Sequence, residues 1–102
     1  GSIPLGTANM IYYVYLIISK NNNKFISYVG YTKNIKKRLD LHNTSKGAKF
    51  TKGRVWKLAY FKSFKSKNLA LKEEYKLKKD YNLRNRIKKE FINNENSGPS
   101  SI

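Results

Sequence analysis

Ile11-Tyr12-Tyr13-Val14-Tyr15-Leu16-Ile17-Ile18-Ser19 leads through Lys20-Asn21-Asn22-Asn23-Lys24 into Phe25-Ile26-Ser27-Tyr28-Val29-Gly30-Tyr31. The first run is dense in β-branched and aromatic side chains and too short for a buried helix, which predicts a strand. At a period of two, Ile11, Tyr13, Tyr15 and Ile17 share one face, and Tyr12, Val14, Leu16 and Ile18 the other. Both faces are apolar, as a central strand covered on both sides requires. Asparagine tolerates positive φ, so the polar cluster reads as a turn that closes a hairpin onto a second strand over 25–31. Tyr28 and Gly30 share a face of that strand, and a glycine there marks the close approach of another backbone or a ligand.

Downstream, Thr32 or Asn34 can cap a helix whose stripe is Ile35, Leu39 and His42, with Arg38 one turn from His42. Ser45–Arg54 has two glycines, four basic residues and no hydrophobic period, and reads as a loop. Val55–Phe64 predicts a third strand. Ser66 is a good N-cap for a helix from Lys67 to about Tyr81, with Asn82 as its stop, and Leu83, Ile87 and Phe91 give a last amphipathic helix over 83–91. The expected fold is mixed α/β, in the order β-β-α-β-α-α: a small three-stranded antiparallel sheet flanked by helices. Gly1–Asn9 resembles a cleavage scar and linker ahead of a native start at Met10, and Asn93–Ile102 is polar with no apolar period, which predicts a disordered tail. The expected folded unit is residues 10–92.

The chain has 102 residues and a net charge of +16, the length of one domain. With no cysteine, disulfide frameworks and thiolate zinc sites are excluded. The longest apolar-rich run, Ile11–Ile18, falls far short of the roughly 20 residues that span a bilayer, so a soluble, intracellular protein is expected. Such a positive field draws polyanions. Of the 22 basic residues, 20 lie between Lys33 and Lys89, spread over several segments and interleaved with Tyr and Phe, a distribution that favours nucleic acid over a membrane surface. Lysine makes up 18 of the 22, and with abundant Asn, Ile, Tyr and Phe this also matches AT-rich coding bias.

Acidic residues are scarce enough to take singly. Ala70 and Leu77, with Tyr81, define the apolar stripe of the long helix, and Glu74 falls on that stripe while Glu73 points further out. A carboxylate there is costly unless something positive meets it, and the plain reading is that Glu74 flanks the stripe and reaches out to pair with a lysine. Asp40, Asp80, Glu90 and Glu95 read as surface charges. Tyrosines at alternate strand positions and a lone histidine on an apolar stripe are, taken one by one, ordinary core residues.

In combination they resemble the GIY-YIG nuclease family. Tyr13-Val14-Tyr15 represents its first motif and Tyr28-Val29-Gly30 its second, followed by Arg38, His42 and Glu74 in order. The runs His42-Asn43, Lys46-Gly47-Ala48-Lys49 and Gly53-Arg54 look like the small standalone bacterial members and the catalytic module of eukaryotic structure-specific endonucleases. Tyr13 replaces the first glycine of the motif, and Tyr31 stands where excision-repair relatives carry a lysine, so a mechanism that uses that lysine does not carry over.

The resemblance implies a DNA endonuclease dependent on one divalent cation, Mg²⁺ with Mn²⁺ as a substitute, acting in repair or recombination on branched, flapped or single-stranded DNA. It implies Glu74 as the metal ligand and Arg38 on the scissile phosphate, whose oxygens suit a guanidinium fork. Tyr15 and Tyr28 would flank the phosphorus, one handling the water and the other the phosphate, with the choice between them open. His42 either assists proton transfer or orients the phosphate, and Gly30 is structural. Lys46, Lys49, Lys52 and Arg54 of the loop, extended by Lys62 and Lys65, are the expected DNA-backbone contacts. A protein partner that confers substrate choice, and a monomer or weak dimer, complete the expectation. The competing readings are a non-catalytic nucleic-acid-binding domain, an RNA-binding protein of ribosomal type and a sequence-specific restriction or homing module.

Overall fold

A computed structural model describes residues 10–96. Three antiparallel strands, β1 (Tyr12–Asn21), β2 (Lys24–Thr32) and β3 (Lys57–Phe64), form one sheet in the order β2-β1-β3. Between β2 and β3 come helix α1 (Ile35–Asn43) and a short 3₁₀ turn (Lys49–Thr51), and after β3 come α2 (Lys67–Lys79) and α3 (Tyr81–Asn96). The fold is the expected mixed α/β sheet. The hairpin turns at Asn22, whose φ of 52° lies in the left-handed region that asparagine accepts.

β1 is central and buried on both faces, as its composition requires. Val14, Leu16 and Ile18 pack with Val29 under Ala70 and Leu77 of α2 and Ile87 of α3. Tyr15 and Ile17 point the other way, into a smaller cluster with Trp56, Tyr28, Leu39 and Leu58. The two long helices therefore cover one face, while α1 and the basic loop cover the other. Among the described residues, no helix is long and apolar enough to cross a membrane.

Several boundaries differ from the sequence reading, each for a local reason. β3 begins at Lys57 because the Trp56 backbone pairs with a side chain instead of a strand: its N–H donates to Asn43 Oδ1 at 2.6 Å and its carbonyl accepts from Asn43 Nδ2 at 3.1 Å. α2 stops at Lys79. Asp80, read from sequence as a surface charge, caps the next helix through Leu83 N–H···Oδ1 at 3.0 Å. Tyr81 consequently opens α3 and is 64 % exposed, outside the apolar stripe assigned to it. α3 continues to Asn96, so residues 93–96 are helical where a disordered tail was expected, and Glu95 meets Lys57 at 3.1 Å. The expected linker over 1–9 and the tail from 97 onward lie outside the described residues.

Candidate active site

The hairpin register fixes the geometry of the two motif tyrosines. Tyr15 pairs with Gly30 and Ile17 with Tyr28. Paired residues share a face, so Tyr28 sits diagonally across from Tyr15. A Cβ at position 30 would lie 2.5 Å from the Tyr15 hydroxyl oxygen and 2.7 Å from Cζ. Gly30 thus clears the space in which the Tyr15 phenol lies across β2, and the group that comes close is this tyrosine itself.

α1 delivers the histidine. Asn34 caps the helix by accepting from Lys37 N–H at 3.0 Å, and two turns later the His42 side chain is completely buried. Its Nε2 lies 2.8 Å from the Tyr15 hydroxyl and its Nδ1 2.9 Å from Thr51 Oγ1. The Thr51 hydroxyl in turn donates to the Ala48 carbonyl at 2.8 Å. A hydroxyl has a single proton, so Thr51 Oγ1 must accept from His42 Nδ1–H. In the neutral ring this leaves Nε2 as the acceptor, to which Tyr15 O–H donates. Trp56 supports the chain by donating its indole N–H to the Thr51 carbonyl at 3.0 Å. A Cβ on Gly47 would collide with His42 Nδ1, so the imidazole edge rests on bare backbone. The Tyr28 ring stands edge-on to the imidazole at 5.2 Å, and its hydroxyl has no hydrogen-bond partner among the described residues.

Burial pushes the Tyr15 phenol above its ordinary value, against the hydrogen bonding and charge of the Arg38 guanidinium beside it; Tyr28 and Glu74 add smaller upward pushes. Burial, and then the Arg38 charge, hold His42 below its ordinary 6.5. The imidazole is therefore neutral at neutral pH. Because the unfolded chain binds a proton at His42 more readily than the native one, this residue's contribution to stability is complete above pH 6.5 and declines as pH falls below it. Thermal melts taken between about pH 7 and 5 should show that decline, at most about 1.4 kcal/mol per pH unit from one proton, and His42→Gln should flatten it.

A family model described as the GIY-YIG catalytic domain matches residues 11–96. The chain belongs to the GIY-YIG family. It is 41% identical over 68 residues to the UPF0213 protein OB0043 of Oceanobacillus iheyensis, covering 66% of this chain and 76% of that one. It is 43% identical over 68 residues to the UPF0213 protein SH2523 of Staphylococcus haemolyticus, covering 66% and 79%. The solution NMR structure of the UPF0213 protein BH0048 from Bacillus halodurans shares 35% identity over 89% of this chain and 90% of that one, with a TM-score of 0.40. The GIY-YIG domain is a nuclease domain, its family implies a DNA substrate, and its nucleases generally use a divalent metal.

In this GIY-YIG chain the remaining site residues are placed unequally. Glu74 lies on α2 with its side chain only 17% exposed, against 39% for Glu73. Its carboxylate meets the Lys78 ammonium at 3.6 Å and reaches Tyr15 through its charge. Among the described residues no cluster of three or more His, Asp or Glu forms, so Glu74 offers a single carboxylate. That donor set fits Mg²⁺, which keeps several waters and binds through one or two carboxylates plus phosphate oxygens. Lys46, Lys49 and Lys52 are exposed and Arg54 is half-buried, with no acidic partner among the described residues. Lys62 pairs with Val14 across the sheet, and so lies on the opposite face from Tyr15. It lines a separate cleft with Glu73, Lys76 and Leu77. Lys65 is exposed just beyond β3.

Sequence reasoning missed Thr51 and Phe50, and quoted Gly47 only within a motif run, without its place against the imidazole. Thr51 is completely buried inside a loop that has no apolar period, and nothing in the pattern marks it. Phe50 did carry a signal: it is the one aromatic between Lys46 and Arg54.

Proposed function

We propose that this protein is a divalent-metal-dependent DNA endonuclease that hydrolyses phosphodiester bonds and selects branched, flapped or single-stranded DNA by shape, in repair or recombination. The observation that carries the reading is the Tyr15 hydroxyl held at 2.8 Å from a histidine nitrogen whose other ring nitrogen is already engaged. A phenol is a poor base at neutral pH, but here its proton has a waiting acceptor. As the attacking water gives a proton to the Tyr15 oxygen, the Tyr15 proton passes to His42 Nε2, and the water oxygen bonds to phosphorus as the ester bond breaks. Burial and Arg38 disfavour the imidazolium so formed, which favours return of the proton through Tyr15 to solvent, while the leaving oxygen takes its proton from a water on its own side of the phosphorus. Tyr28, whose hydroxyl is free among the described residues, hydrogen-bonds the phosphate, and Arg38 neutralises the charge that develops on it. Glu74 holds the cation, which when bound supplies positive charge to the phosphoryl oxygens.

Selection by shape is supported by the chemistry of the loop: its Lys and Arg side chains suit phosphates, and phosphate contacts carry no base identity. The decisive experiment incubates labelled single-stranded, duplex, flap and four-way-junction DNA with Mg²⁺, with Mn²⁺ and with chelator. Cleavage is expected only with metal. Neutralising about six phosphates gives a slope of about −5 for log affinity against log salt. Tight, salt-sensitive binding with no cleavage of any substrate would establish a non-catalytic binding domain instead.

A further inference from the structure

A cleft of about 260 Å³ opens beside the site, lined by Ser27, Tyr28, Val29, Phe50, Lys78 and Arg84. It is smaller than the roughly 300–1,000 Å³ of pockets that enclose a whole small molecule. One wall is aromatic. Phe50 is 52% exposed, and its ring lies near-parallel to Tyr28, with centroids 6.1 Å apart and planes 19° apart. The Arg54 guanidinium lies over the same Phe50 ring at 5.6 Å. The lining also includes two cationic side chains, Lys78 of α2 and Arg84 of α3. Arg84 Nε is buried without a hydrogen-bond partner among the described residues.

A single exposed aromatic is ordinary. Phe50 differs because it stacks on a motif tyrosine, sits under an arginine and lines one cleft with two further cationic side chains. An unmet buried donor calls for a missing partner, and an anion in the cleft supplies acceptors to Arg84. An aromatic face beside cations is the chemistry that holds a nucleotide, the ring taking the base and the cations its phosphate.

We infer that this cleft is a subsite for one unpaired nucleotide of the DNA strand being cut, its base stacked on Phe50 and its phosphate held by Arg84, with Lys78, whose ammonium the Glu74 carboxylate already meets at 3.6 Å, lining the same cleft. The inference rests on the nuclease reading above and names its substrate class. In a duplex both faces of a base are covered by its neighbours and its edge by its partner, so Phe50 reaches a base only in a single strand, a flap or a junction. Stacking is tolerant of base identity, so the subsite selects structure and leaves sequence unread.

The test measures fluorescence anisotropy of labelled single-stranded and duplex DNA in chelator, with metal-dependent cleavage followed in parallel. Phe50→Leu is expected to weaken single-strand binding by about 5- to 160-fold, the range for losing one stacked base, and to leave duplex binding within about twofold. Phe50→Trp is expected to restore it. Arg84→Gln is expected to weaken single-strand binding and reduce its salt slope by about one. Equal losses on both DNAs, or no loss on the single strand while Phe50→Leu melts like wild type, would overturn the subsite. Metal-dependent cleavage with an unchanged single-strand preference in Phe50→Leu overturns the subsite alone. A Phe50-dependent preference without cleavage on any substrate keeps the subsite and removes the nuclease reading.

Discussion

Glu74→Gln is expected to lower the rate of metal-dependent DNA cleavage by at least about a hundredfold while leaving DNA binding within about threefold. Removing one preorganised electrostatic group from a hydrolytic site costs about 10²–10³ in rate, and on the proposed mechanism the lost group also holds the cation. The substitution keeps the shape of the side chain. Its neighbour provides the control: Glu73 lies one position round α2, is more exposed and pairs with Lys76 at 3.8 Å. An exposed pair of this kind contributes little, so Glu73→Gln should cleave within about twofold of wild type. The assay is single-turnover cleavage with saturating enzyme across a Mg²⁺ titration, beside anisotropy in chelator. If Glu74→Gln cleaves at the wild-type rate with an unchanged metal midpoint, the single-carboxylate site is wrong and the cation is held elsewhere.

The fold was legible where side-chain pattern and backbone requirement coincide. β1 announces itself because a strand buried on both faces must be apolar at every position from Val14 to Ile18, and the asparagine turn can only close a hairpin onto the apolar run of β2. Ser66 was legible as a cap, and Asn34 as one of two candidates with Thr32, because their side chains do what helix starts demand. The errors fell where a side chain replaces a backbone partner. Asn43 satisfies both polar groups of the Trp56 backbone and delays β3, and Asp80 ends one helix by starting another. No periodicity encodes such long-range or dual-purpose pairings. In the site, the order of the two tyrosines, Arg38, His42 and Glu74 was legible as a motif, and the structure gathers Tyr15, Tyr28, Arg38 and His42 at one point. What fixes the imidazole was not legible, since Thr51 is nine residues away and acts through a hydroxyl that resembles any loop threonine.

The same hydrogen-bond chain distinguishes the two tyrosines experimentally. Tyr15→Phe should reduce kcat by about 10²–10⁴, the usual worth of a positioned proton-transfer group, because the phenyl ring still fills the space cleared by Gly30 but has no proton to exchange. Tyr28→Phe should cost less, since in the proposed mechanism its hydroxyl hydrogen-bonds the phosphate and relays nothing. The pH profile separates the roles independently of size. In wild type the rate should fall on the acid side as His42 gains a proton, below its ordinary 6.5 because burial and Arg38 depress it; once protonated, Nε2 no longer accepts from Tyr15. Tyr28→Phe should keep that acid limb at a lower rate, and Tyr15→Phe should lose it. Thr51→Val, nearly the same in shape, removes the acceptor for Nδ1–H and frees the ring to take the other tautomer, in which Nε2–H faces the Tyr15 oxygen and cannot receive its proton. A loss of about tenfold together with loss of the acid limb, measured below the melting temperature that the unsatisfied Nδ1–H lowers, would identify Thr51 as a positioning residue. An acid limb that survives in Tyr15→Phe and disappears in Tyr28→Phe would transfer the proton-handling role to Tyr28, whose ring also touches the imidazole at 5.2 Å.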